Sequence, residues 1–180
     1  MEKKRTPIFF APFVSSTMEV LPAWIDYNGH MNMAYYHVLF DRAVEEGFGL
    51  VGLGPDYLEE RRGSFFAAEI HTLYKRELKM RDPVRVTLQL VDFDEKRVHF
   101  YLEIRHATEG WVAATSEGLS LHMDMRTRKV TPFPEDIMAN LAVMKAAHSR
   151  LARPEVLGRV IGIPNKSALN EQLVTSGTRH

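Results

Sequence analysis

Residues 22–36 read PAWIDYNGHMNMAYY, and this stretch decides how the rest of the chain is interpreted. It contains the end of a strand, a tight Asp-x-Asn-Gly turn and the start of a long helix, with Asn32 as the predicted N-cap. A helix N-terminus presents unpaired backbone N–H groups and the positive end of the helix dipole, which can stabilise an oxyanion. The carboxylate of Asp26 beside it has two interpretations. It is a nucleophile or general base, or it only stabilises the turn.

The predicted helix carries a broad apolar stripe. Its members recur at helical spacing, namely Met33, Tyr36, His37, Phe40, Ala43, Val44, Phe48 and Val51. A glycine-rich stretch ends the helix before Pro55. We predict that the helix is apolar nearly all round, and that a second subunit covers what its own sheet leaves open.

The clearest strand signals lie after the helix. Residues 84–90 and 98–104 alternate between apolar and polar side chains, which is typical of half-buried antiparallel strands, and the polar residues 92–96 form the turn of a hairpin. A further strand is predicted over about residues 111–125. An earlier one, over about residues 64–79, is long enough that we expect a bend or bulge in it.

This order of elements predicts an α+β fold in which one long helix lies across a curled antiparallel sheet. We divide the chain into an N-terminal arm (1–16), a central domain (17–131) and a C-terminal region (132–180). The last region is predicted to hold a helix that ends near residue 150, followed by a tail that is loosely ordered or wraps a partner.

Composition excludes several classes of protein. The 180 residues have a formal net charge of zero, so there is no basic excess for general binding to nucleic acid. There is no cysteine, which excludes thiolate chemistry and permits a reducing compartment.

The N-terminus resembles a signal peptide but contains Pro7 and Pro12, and no apolar run reaches the roughly 18 residues needed to span a membrane. The expectation is a cytoplasmic protein without a membrane partner. The eight histidines lack metal-ligand spacing, so no metal site is expected.

The segment from Asp26 to Asp41 resembles a family signature. It is similar to the 4-hydroxybenzoyl-CoA thioesterase-like group of hotdog-fold acyl-CoA thioesterases, whose pattern reads approximately D-x-x-G-H-x-N-N-x-x-Y-x-x-x-F-E. The matching positions here are Asp26, Gly29, His30, Asn32, Tyr36, Phe40 and Asp41. The resemblance covers about residues 17–130 and includes Arg81-Asp82, where the family usually has Gly-Asp.

The resemblance implies a function. A hotdog domain would pair with a second copy into a homodimer or a dimer of dimers, and would hydrolyse a CoA thioester to the free acid and CoA at the subunit interface. It needs no cofactor, because CoA is part of the substrate. It also implies that Asp26 is the catalytic carboxylate, as nucleophile or general base, and that backbone N–H groups at Asn32 and Met33 polarise the thioester carbonyl. Asp41 matches a helix acid that some members use instead, although it is one methylene shorter than the usual Glu, and Met33 replaces a second Asn.

Several other residues are predicted to bind substrate. The aromatic ones either pack the core and the dimer interface or hold a quaternary ammonium by cation–π contact; they are Trp24, Tyr27, Tyr36, Phe65 and Phe66. The second alternative follows from a resemblance of VLPAWIDYNGHM, GSFFAAEIH and LHMD to thioesterases of carnitine breakdown, which act on betainyl-CoA. His30 either orients the substrate or stabilises the turn. Glu69 and His71 are expected on the strand face that carries Phe65, where they line the pocket or form a satisfied polar pair.

Two other functions remain open at this point. A hotdog dehydratase or hydratase would usually pair an acid with a histidine in a differently spaced helix motif, which this sequence lacks. A non-catalytic acyl-CoA-binding module would retain the fold without hydrolysis. Turnover of acyl-CoA thioesters separates both from a thioesterase.

Overall fold

A computed structural model describes residues 8–163 of the chain. It contains one antiparallel sheet with strand order β1-β4-β5-β6-β3, in which β2 also pairs with β4 and β7 with β6. The strands are β1 (Phe13–Val14), β2 (Met18–Glu19), β3 (Gly63–Tyr74), β4 (Pro83–Phe93), β5 (Arg97–His106), β6 (Val112–Asp124) and β7 (Lys129–Val130). The helices are a 3-10 turn (Pro22–Trp24), α1 (Met33–Gly49), α2 (Pro55–Arg61) and α3 (Glu135–His148). The predicted α+β fold and the β4–β5 hairpin are confirmed.

The helix α1 packs along one face of the sheet through its apolar stripe. Its buried residues are Tyr36, Leu39, Phe40, Ala43, Gly47 and Phe48. The approach is close at Gly47, where an added Cβ would lie 3.1 Å from Leu88 Cδ1. The prediction that α1 is apolar nearly all round is wrong, because the helix also carries the exposed charged residues Asp41, Arg42 and Glu45. Only the helix face that packs on the sheet needs apolar side chains, so the rest of the helix surface can carry charged ones.

The strand β3 lies at the edge of the sheet and pairs only with β6 among the described strands. Its other edge presents unpaired backbone groups along twelve residues. The strand also carries exposed large apolar side chains, including Ile70, which is 49% exposed. The expected bulge is present, since Ala67 lies opposite Ser120 but Glu69 lies opposite Leu119. The prediction that a second subunit covers part of α1 remains a prediction.

The C-terminal region contributes α3, which is confirmed at Glu135–His148 and packs on β4. Its last residue, His148, accepts a hydrogen bond from the Leu90 N–H and contacts the carbonyl of Phe10. The short helix α2 was not predicted. It is joined to α3 by a bidentate pair between Arg61 and Asp136.

The predicted division into arm, domain and tail remains a prediction, although β1 already joins the sheet within the arm. Most of the predicted tail, residues 164–180, lies outside the described residues.

Candidate active site

A three-residue loop precedes α1. The Asp26 N–H donates to the His30 carbonyl (3.0 Å), and the Gly29 N–H donates to the Asp26 carbonyl (3.0 Å). The loop closes through Gly29, whose φ of 82° lies in the left-handed region that glycine adopts without steric cost. Ile25 and Met31 pair on either side of it. The sequence Asp-Tyr-Asn-Gly-His therefore folds as a local hairpin turn that delivers the chain to the helix.

The side chain of Asp26 is part of this turn. Its Oδ1 accepts a hydrogen bond from the Asn28 N–H (2.8 Å), which confirms the expected turn-stabilising interaction. Its Oδ2 accepts no hydrogen bond from the described residues. The carboxylate is therefore held in one orientation with one oxygen still available to a substrate or a water molecule.

The helix α1 begins at Met33, shortly after this turn in the chain. Asn32 is the N-cap, because its side chain accepts a hydrogen bond from the Ala34 N–H (3.0 Å). The backbone N–H of Asn32 is already donated to the Trp24 carbonyl (2.9 Å). The N–H of Met33 has no acceptor within residues 8–163, and the Met33 side chain is 64% exposed. Of the two predicted donors, only Met33 thus offers a free N–H group.

The connection between β3 and β4 packs against the turn and the start of α1. The Met31 N–H donates to the Leu78 carbonyl (2.8 Å), and the Leu78 N–H donates to the hydroxyl of Tyr36 (3.3 Å). His30 Nε2 lies 2.9 Å from a carboxylate oxygen of Glu77. Burial raises the pKa of Tyr36, so its hydroxyl stays protonated and can serve as a structural partner here.

Several of the predicted aromatic residues gather at the same end of the molecule. Trp24 stacks on Tyr35 at a centroid distance of 5.3 Å, and the Arg42 guanidinium lies 5.6 Å from the Trp24 ring centre. Tyr36 meets Tyr74 edge to face at 5.1 Å. Tyr27 is 97% exposed. Trp24 and Tyr36 thus pack among aromatic residues at the start of α1, whereas Tyr27 makes no aromatic contact within the described chain.

A groove of about 650 Å³ runs between α1 and β3. It is lined by Phe65, a predicted substrate-binding residue, and by Asp41, the predicted alternative catalytic acid, whose roles remain predictions. His37 and Glu45 also line it and were not predicted as site residues. The signal that could have found them is their spacing, because positions 37, 41 and 45 recur every four residues on one helix face. With a rise of about 1.5 Å per residue, Asp41 lies about 12 Å along the helix from Met33.

The prediction that Glu69 and His71 share a strand face with Phe65 is wrong. The bulge inserts Ala68 between the two registers, which inverts the alternation of side chains along β3. Glu69 and His71 therefore line a different cleft, of about 780 Å³, on the opposite face of the sheet. Phe66 is also absent from the groove, and its ring lies beside Arg128. The roles of these three residues in substrate binding remain predictions.

Among residues 8–163, no group of three His, Asp or Glu side chains is arranged to hold a metal ion. No helix in the same range is long and apolar enough to cross a membrane.

A helix packed on an antiparallel sheet, with an Asp-x-x-Gly-His turn at the start of that helix, defines the class of hotdog-fold thioesterases. The comparison with solved structures supports this class. A hypothetical protein from Staphylococcus aureus, determined in complex with CoA, superposes with a TM-score of 0.80 at 31% identity, over 87% of this chain and 98% of that chain.

The model of the thioesterase-like superfamily matches residues 20–141, and the chain belongs to that family. A betainyl-CoA thioesterase from Pseudomonas aeruginosa is 34% identical over 145 residues, which cover 81% of this chain and 91% of the relative. An L-carnitine dehydrogenase/betainyl-CoA thioesterase from Rhizobium meliloti is 36% identical over 144 residues; these cover 80% of this chain but only 29% of that longer protein. The predicted class, a thioester hydrolase with the hotdog fold, is thus confirmed.

Proposed function

We propose that this protein hydrolyses an acyl-CoA thioester to the free acid and CoA, with betainyl-CoA or another short acyl-CoA as the substrate. One observation carries the proposal. Asp26 keeps a free carboxylate oxygen in the turn that leads into α1, and Met33, the first residue of α1, keeps a free N–H within the described chain. We propose that a thioester carbonyl meets both groups. The names of the two betainyl-CoA thioesterase relatives support the substrate.

In the proposed mechanism, the Met33 N–H donates to the thioester carbonyl oxygen and stabilises the negative charge that develops there. Asp26 then acts in one of two ways. It attacks the carbonyl carbon, forming a mixed anhydride as CoA leaves, and water hydrolyses the anhydride. Alternatively, it takes a proton from a water molecule, whose oxygen attacks the carbonyl before the C–S bond breaks. In both routes the thiolate of CoA leaves and is then protonated.

We further propose that the working form is a homodimer or a dimer of dimers. The free edge of β3 could pair with the same edge of a second copy, which would satisfy its backbone groups and cover Ile70. The exposed Tyr27 and Met33 leave room for a partner near the turn.

The β3–β4 connection is the proposed contact for the phosphates of CoA. Lys75, Lys79 and Arg81 are exposed there and take part in no ion pair within the described chain. Two other exposed arginines are less available to phosphates, since Arg61 is paired with Asp136 and Arg126 lies next to Asp124. A cytoplasmic location is part of the same proposal, because a chain without cysteine suits a reducing compartment.

The test is release of CoA from a panel of short, medium, aromatic, hydroxylated and betainyl thioesters by the wild type and Asp26→Asn. Asparagine keeps an oxygen that can accept from the Asn28 N–H, so the turn is expected to survive while the charge is lost. We expect a loss of at least about a hundredfold, the contribution of a single general base. Asp56→Asn, on the first turn of α2, is the matched control. Undiminished activity of Asp26→Asn would contradict the role of Asp26, and a folded wild type without any turnover would favour an acyl-CoA-binding module.

A further inference from the structure

The turn that begins at Asp26 projects from the body of the protein. Tyr27, Asn28 and Gly29 are exposed, and Tyr27 is 97% exposed. The bonds that close the turn join residues within it, since the Asp26 N–H donates to the His30 carbonyl and the Asn28 N–H donates to the Asp26 side chain. These bonds fix the shape of the turn. Its attachment to the rest of the protein depends on the residues at its base.

The base of the turn is held by the β3–β4 connection. The Leu78 carbonyl accepts from the Met31 N–H (2.8 Å), and the Leu78 N–H donates to the Tyr36 hydroxyl on the first turn of α1 (3.3 Å). Leu78 is fully buried, so both of its backbone groups are bonded away from water. The backbone at this point of the connection is therefore fixed relative to the turn and to α1.

One side chain of the turn also reaches the connection. Within residues 26–30, His30 is the only one whose side chain makes a hydrogen bond or ion pair with a distant segment of the described chain, and its Nε2 lies 2.9 Å from Glu77. A carboxylate only accepts, so the Nε2–H of His30 is the donor. Glu77 adjoins the fixed residue Leu78, and His30 is held through its own carbonyl. The entropy cost of keeping the two side chains together is small for this reason.

We infer that Glu77 is a positioning residue for Asp26. Glu77 holds the ring of His30, and the carbonyl of His30 holds the Asp26 N–H at 3.0 Å. The direction of the Asp26 carboxylate thus depends on a residue that does not itself touch the substrate. A displacement of a catalytic group by about 1 Å can cost about a hundredfold in rate. The inference rests on the proposed role of Asp26 in hydrolysis, and it gives His30 the turn-stabilising one of its two predicted roles.

The first test compares Glu77→Ala with Glu95→Ala, on the acyl-CoA that the wild type hydrolyses fastest. Glu95 is a matched control, because its side chain is 67% exposed against 66% for Glu77 and it also pairs at 2.9 Å, with Lys96. We expect the kcat of Glu77→Ala to fall at least about tenfold at nearly unchanged KM, since only the bond-making step depends on the direction of the carboxylate. Its Tm should stay close to that of the wild type, because an exposed pair contributes little to stability. Glu95→Ala should change neither kcat nor KM.

Two further variants separate positioning from other roles of Glu77. Glu77→Gln keeps an oxygen that can accept from the His30 Nε2–H, and it should restore most of the kcat that Glu77→Ala loses. In a His30→Ala background, Glu77→Ala should have no further effect on kcat, because Glu77 acts through the His30 ring. An unchanged kcat in Glu77→Ala would overturn the inference. A glutamine variant as slow as the alanine variant, or a further loss in the His30→Ala background, would overturn it as well.

Amide hydrogen exchange tests the same anchor without any turnover. The N–H groups of Asp26 and Gly29 are bonded within the turn, so their exchange reports its opening. We expect both to exchange several times faster in Glu77→Ala than in the wild type and in Glu95→Ala. If the wild type hydrolyses no thioester, the proposed function fails, whereas faster exchange would still support the anchoring of the turn by Glu77. Unchanged exchange at both N–H groups would overturn that anchoring whatever the activity.

Discussion

The ring of His148 joins α3 to two other segments, and this makes its protonation costly. Its Nδ1 accepts a hydrogen bond from the Leu90 N–H (2.8 Å), and its Nε2 donates to the Phe10 carbonyl (3.0 Å). The ring is thus neutral, with its proton on Nε2. A second proton on Nδ1 would remove the acceptor for Leu90. Burial is the main cause that lowers the pKa of His148 below its ordinary value.

The sign of the pH effect follows from this direction. Because the folded-state pKa lies below the unfolded value of about 6.5, the unfolded chain binds more protons between the two values. The contribution to stability is complete above about pH 6.5 and is lost as the pH falls, by up to about 1.4 kcal/mol per pH unit for one histidine. His122 acts in the same direction, since burial lowers its pKa and its ring contacts Tyr57 and the Thr131 carbonyl. Together the two histidines lower the free energy of unfolding by up to about 2.8 kcal/mol per pH unit as the pH falls.

Urea unfolding between about pH 7.5 and about pH 5 measures this slope for the wild type and His148→Gln. The variant should lose about 1–3 kcal/mol near pH 7.5, because the Leu90 N–H loses its acceptor, and its stability should depend less on pH. His71→Gln is the control, as His71 is half-buried and makes no hydrogen bond within the described chain. A slope in His148→Gln equal to that of the wild type would refute the reasoning.

Three further changes test other parts of the structure. Asn32→Ala removes the cap of α1, which should cost about 1 kcal/mol and lower the Tm by about 2–4 °C in a thermal melt; an unchanged Tm would mean that the cap contributes nothing. Gly63→Ala would place a Cβ 2.3 Å from the ring of Tyr57, and we expect a loss of about 1–3 kcal/mol in urea unfolding, whereas wild-type stability would show that the ring can move away. Ile70→Lys places a charge on the free edge of β3 and should yield a monomer by light scattering, unlike Val160→Lys; a persistent dimer would place the interface elsewhere.

Most of the fold could be predicted because its signals are local. The Asn32 cap, the start of α1 and the β4–β5 hairpin each depend on residues close together in the chain. The short helix α2 was missed because its seven residues, Pro55–Arg61, are too few to show a helical period. Its position is fixed by the Arg61–Asp136 pair, which joins residues far apart in the sequence.

The candidate site was predicted only in part, for a similar reason. Asp26 begins the turn that leads into α1 and Met33 is the first residue of that helix, so both could be placed from sequence alone. Alternation along β3 fails at Ala68, because a bulge depends on how β6 pairs with it, and Glu69 and His71 consequently face the other way. The contact of Leu78 with the turn is equally non-local and left no pattern to detect.

The placement of β3 also matters while the chain is being made. This strand is synthesised before β6, its hydrogen-bonded neighbour, and about 40 residues separate the end of one from the start of the other. At roughly 5–20 residues per second, a ribosome needs about 2–8 s to add them. During that interval both edges of β3 are unpaired, so nascent chains on neighbouring ribosomes could aggregate through it. Fragments that stop before Val112 keep this state permanently, and they should accumulate as insoluble material.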